Sequence, residues 1–118
     1  MQPRRYRLGL ADGAYGPGDV PSLTITTCQL VKGPDLPNWQ PEAMLASLDE
    51  PLQWRGEEVR YVAFNPRYTS QTMSSVTRSG GVVGVSRVLP GHDPLDWTHL
   101  VPDALDYWGV GVLKVLEA

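Results

Sequence analysis

The 12 glycines and 11 prolines are scattered along the whole 118-residue chain rather than gathered in one tail. Together they make about a fifth of the residues, where about 12% is ordinary. Glycine weakens helix and strand interiors, and proline removes a backbone donor. A chain punctuated this often must fold through short elements joined by turns. It is also large enough for one real core, because a chain of this size sits near the commonest domain length. Hydrophobic residues reach 42% and charged residues only 19%. That balance argues for a folded, single-domain chain (1–118) and against disorder.

The clearest strand is 22–32. Leu23, Ile25, Thr27 and Gln29 share one face, and Thr24, Thr26, Cys28 and Leu30 the other. A short strand fits 5–10, and 12–19 is a glycine-rich loop. Residues 52–64 divide into two strands around Arg55-Gly56, a hairpin signal. Strands also fit 82–89 and 107–116. For the last of these a helix competes, but Gly109 and Gly111 weaken it.

Residues 39–49 suggest a helix, with its body at about 40–49. Asn38 or Gln40 would cap it, Pro41 and Glu42 suit its first turn, and Met44, Leu45 and Leu48 recur at helical spacing. A second, short helix fits 94–100, with Asp93 as cap and Pro94 in the first position. Strand, helix and hairpin in that order give no βαβ alternation. The expected class is therefore α+β: a mostly antiparallel sheet of about five strands, one main helix and a short one.

Net charge is −3 and the pI about 5.2. Nucleic-acid coats are usually basic, so the bulk balance does not favour nucleic acid as a partner. The single Cys28 forbids an intrachain disulfide. No apolar run of about 18 residues exists, so no membrane partner is expected. The basic N-terminus lacks a following apolar stretch, so a cytoplasmic protein is the default expectation. Nothing in the pattern sets an oligomeric state or requires a cofactor.

The charges are segregated. From Val59 to His92 stand Arg60, Arg67, Arg78 and Arg87, with no acid among them. Segments 35–58 and 93–118 are acidic. The cationic block coincides with a polar stretch at 65–79 followed by Gly80-Gly81. Arg67, Tyr68, Ser70, Thr77, Arg78 and Ser79 offer hydrogen-bond donors, and Gly80 and Gly81 allow close backbone approach. Guanidinium forks, hydroxyls and amides are what phosphate and carboxylate recognition uses. These residues form the candidate ligand site, and Arg4, Arg5 and Arg7 would join it if the N-terminus folds over. The expected function is a non-catalytic module contacting an anionic small molecule, a nucleotide or nucleic-acid backbone, or a protein partner. The bland alternative is a solvated loop whose arginines pair with the chain's own acids.

Two further functions compete. An acidic protein–protein regulator, such as an inhibitor, immunity protein or small subunit, would use segments 35–58 and 93–106. A small metal-dependent hydrolase would use His92, Asp96 and His99, since Asp96 and His99 would share a helical face. That spacing matches no established metal motif, and the acids already explain a helix start. Cys28 reads better as a packed apolar residue than as a nucleophile. Glu57 and Glu58 are adjacent, so on a strand they point apart. Trp39, Trp54, Trp97 and Trp108 read as core anchors, with Trp39 or Trp97 as candidates for an interaction patch.

Overall fold

The computed structural model of the protein describes residues 3–10, 22–33, 41–68 and 70–116. Its strands are β1 (Arg5–Leu10), β2 (Leu23–Lys32), β3 (Glu42–Trp54), β4 (Glu57–Pro66), β5 (Gly81–Val88) and β6 (Leu105–Val115). One helix, α1 (Met73–Ser79), lies between β4 and β5. Each strand pairs antiparallel with the next, and β6 returns to β1, so the sheet closes into a barrel. Closure leaves no unpaired sheet edge. Among the described residues no helix is long and apolar enough to cross a membrane.

Two apolar layers hold this architecture. Alternate residues such as Leu8, Ile25, Met44, Phe64, Val85 and Leu113 fill the barrel interior. Helix α1 plugs one end, where Met73 and Val76 join that interior cluster. A second cluster lies outside the barrel, where Val31, Ala43, Leu45 and Ala63 meet Val88 and Leu100. There the segment 89–104 crosses the outer face as a strap. Backbone bonds tie it to β2: the Lys32 N–H donates to the Thr98 carbonyl (3.1 Å), and the Leu100 N–H donates to the Lys32 carbonyl (2.8 Å).

The α+β class expected from the sequence is thereby corrected to a closed six-stranded barrel with one short helix. The main helix expected at 40–49 does not exist; its described part, from Glu42 on, is strand β3. Ala43, Met44, Leu45 and Ala46 are all buried, alternately toward the strap and toward the barrel interior. A strand buried on both faces has no polar alternation, and its continuous apolar run also satisfies helical spacing. Pro51 is tolerated because residues 49–51 pair with neither β2 nor β4, in the irregularity of β3 opposite Arg60. The helix expected at 94–100 shrinks to a 3₁₀ turn, Pro94–Asp96, with the Asp93 carboxylate accepting from the Leu95 N–H at 3.1 Å. It ends early because 98–100 pairs with Lys32 instead. The one α-helix among the described residues, α1, lies inside the stretch read as a polar loop.

Other expectations match. Strands occupy 23–32 and 105–115, and the Arg55-Gly56 hairpin forms with both residues at positive φ (50° and 81°), the pair of conformations a tight hairpin turn needs. The glycine loop at 12–19, the caps Asn38 and Gln40, and Trp39 lie outside the described residues.

The end opposite α1 is closed by aromatic packing. Trp108 is fully buried and meets partly buried Trp54 edge-on, with centroids 5.6 Å apart. Arg87 is buried beside them, its Cζ 4.8 Å from the Trp54 centroid. Its Nε and Nη2 reach Asp106 (3.1 Å) and Glu57 (3.0 Å).

Candidate functional site

The site expected at 67–81 is the helix-plugged end of the barrel. Where β4 ends, the Arg67 N–H donates to the Val82 carbonyl (3.0 Å) and the chain turns outward. Thr72 then caps α1, its hydroxyl oxygen accepting from the Ser75 N–H at 3.0 Å. Met73 and Val76 face the core, so Ser74, Arg78 and Ser79 are left exposed. Gly80 ends the helix at φ 78°, and its N–H donates to the Val76 carbonyl at 2.8 Å.

The last turn of α1 leaves carbonyls without helical partners. The Thr77 carbonyl takes two donors from the N-terminal strand: Arg4 Nη1 at 2.9 Å, and the Tyr6 hydroxyl. Burial pushes the Tyr6 phenol above its ordinary pKa, against smaller opposing effects of Arg4. Arg4, just before β1, therefore reaches this end of the barrel and brings a guanidinium with it.

The four arginines of the acid-free block separate into two kinds. Arg60 pairs with Glu58 (3.2 Å), and Arg87 with Glu57 and Asp106. Arg67 and Arg78 are exposed, and among the described residues neither has a carboxylate within ion-pair distance. Arg67 instead lies 6.0 Å from the ring centroid of Tyr68, itself 55% exposed. Arg5 is also committed, to Asp49 at 2.9 Å. Two more exposed cations stand directly opposite each other on neighbouring strands, Arg7 on β1 and Lys114 on β6. Neither has an ion pair among the described residues. Lys114 lies against the end of α1: a Cβ on Gly80 would be 3.6 Å from the Lys114 Cα.

Arg67, Arg78, Arg4, Arg7 and Lys114 thus rim one end of the barrel. The sequence had indicated the first two, and Arg4 and Arg7 on condition of a folded-over N-terminus. It missed Lys114, whose place depends on the β1–β6 register. Several expected donors are occupied within the fold. The Thr77 hydroxyl donates to the Ser74 carbonyl (3.0 Å), and Gly81 makes room for Gln71, whose Nε2 would lie 2.9 Å from an added Cβ. Ser70 and Ser79 are exposed.

The remaining candidates sit elsewhere. His92, Asp96 and His99 are exposed along the strap, with Thr98 Oγ1 and His99 Nδ1 3.1 Å apart. Among the described residues no group of three or more His, Cys, Asp or Glu side chains is placed to hold a metal ion. Cys28 is the extra residue of a bulge in β2, between Thr27 and Gln29. Compared with models of known families, with curated proteins and with solved structures, the chain matches none of them.

Proposed function

We propose that the protein is a non-catalytic binding module of the cytoplasm, taking a phosphate-bearing ligand on the helix-plugged end of its barrel. One observation carries the reading: Arg67, at the end of β4, and Arg78, in the last turn of α1, stand exposed with no ion-pair partner among the described residues, while the other two arginines of the same acid-free block are ion-paired. Exposed guanidinium groups keep their forked donors for an outside acceptor, and phosphate suits that geometry. Arg4 and the exposed Ser70, Ser74 and Ser79 add further donors to the same rim.

The test is binding of inorganic pyrophosphate, followed by calorimetry, to wild type and to an Arg67→Ala/Arg78→Ala variant. Loss of two charge-assisted contacts should weaken binding by about tenfold or more at low salt. The difference should shrink as salt rises. Equal affinity of the two proteins, or no binding by wild type, rejects the reading.

A further inference from the structure

The cations without an ion pair among the described residues do not converge on a point; they run across the outside of the barrel. Arg67 is at the end of β4, beside Val82 of β5. Val82 pairs with Val112 of β6, and two residues on along β6 comes Lys114. Lys114 pairs in turn with Arg7 of β1. From β4 to β1 is three strand spacings, about 14 Å. One phosphate group cannot bridge that width.

Arg7 and Lys114 carry the argument furthest. Like charges directly opposite on neighbouring strands disfavour the fold. By contrast Arg5, on the same strand as Arg7, is paired with Asp49. No described acid pairs with Arg7 or Lys114. The strap covers the outer face on the β2–β4 side and not this one, where Val112 is 46% exposed. At the Arg67 end of the line stands the exposed ring of Tyr68. A row of cations beginning at an exposed aromatic ring suits a single strand, whose phosphates track the cations while a base stacks on the ring. The net charge of −3 conceals this separation of charge between faces.

Resting on the phosphate reading above, we infer that the ligand is a single-stranded nucleic acid, laid across β5, β6 and β1 from Tyr68 and Arg67 to Lys114 and Arg7. The experiment compares three probes on the full chain: a fluorescein-labelled oligodeoxythymidylate of about ten nucleotides, inorganic pyrophosphate, and an oligoglutamate peptide. Wild type should bind the oligonucleotide more tightly than pyrophosphate. Replacing Arg7 and Lys114 by Ala should weaken the oligonucleotide alone, and lower the slope of log affinity against log salt by roughly 0.7 for each cation removed. Tyr68→Ala should weaken it without changing that slope. Circular dichroism of each variant establishes that it is folded. Equal affinity for pyrophosphate and oligonucleotide, or an unchanged salt slope in the folded Arg7/Lys114 variant, overturns the strand and leaves the phosphate site. Preference for oligoglutamate overturns the strand in favour of an acidic protein partner. Failure of all three probes removes both readings.

Discussion

The backbone of Gly80 lies so close to Leu113 that a Cβ added there would stand 2.3 Å from the Leu113 carbonyl oxygen. Gly80 also holds φ 78°, ψ −174°, a region that side-chain-bearing residues reach at about 1–3 kcal/mol. Gly80→Ala must therefore both strain the helix end and push β6 away. We expect a loss exceeding that backbone cost, read as a lower urea midpoint. Gly56 provides the contrast, because it has φ 81° but nothing within 4 Å of an added Cβ. Gly56→Ala should lose only about 1–2 kcal/mol. Equal losses at the two positions would show that the contact with Leu113 does not matter.

What the sequence discloses here follows from which faces are buried. Strand β2 was legible because Leu23, Ile25 and Thr27 alternate with less buried residues. The Arg55-Gly56 turn was legible from its flanking strands. Strand β3 was not, because Ala43 and Leu45 meet the strap while Met44 and Ala46 meet the interior. Its second buried face depends on a segment some fifty residues later, which local periodicity cannot convey. Barrel closure likewise depends on β1 meeting β6, a pairing between opposite ends of the chain. For the same reason Lys114 was invisible as a neighbour of Arg7. Arg60 and Arg87 looked equivalent to Arg67 and Arg78 in sequence; only the fold shows which cations have carboxylates beside them.

Arg87 is only 7% exposed as a side chain, while Glu57 and Asp106 are each nearly half exposed. The carboxylates can return to water if the pairs break, and the guanidinium cannot. Glu57→Gln/Asp106→Asn should therefore cost about 2 kcal/mol of stability, by leaving a buried cation without charge compensation. Adding Arg87→Met to that double variant should recover part of the loss, since the aliphatic chain can still pack on Trp54. Urea denaturation of the three proteins measures both steps. A triple variant less stable than the double would show that Arg87 contributes chiefly through its guanidinium contact with the ring.

Leu100 is the anchor of the strap, 4% exposed in the outer cluster. Leu95, on the same strap, is 48% exposed. Leu100→Ala should destabilise by about 2–4 kcal/mol, within the range for buried leucines. Leu95→Ala should stay within about 0.5 kcal/mol of wild type. Amide exchange should also rise at the Leu100 N–H, which donates to the Lys32 carbonyl. Equal effects of the two substitutions would mean that the strap does not hold the outer layer together.

Asp49 sits in the β3 bulge and accepts from the Thr26 hydroxyl at 2.7 Å and from both Nε and Nη2 of Arg5. The Thr26 bond first, and then the Arg5 fork, hold its pKa below the ordinary aspartate value. A carboxyl whose pKa is lowered by folding binds its proton more weakly in the folded state. Its contribution is thus fully present above the unfolded-state value, and it is lost as pH falls through the lowered one. Its partner Arg5 is mostly exposed, so the contribution should stay below about 1 kcal/mol. Wild type should exceed Asp49→Asn in stability by that amount at neutral pH, and the gap should close as pH falls through the lowered Asp49 pKa. Added salt at neutral pH should narrow the gap as well, because Arg5 is exposed. The measurement is a pair of urea titrations across the acid range, and a gap that stays constant with pH would assign the effect to packing rather than to charge.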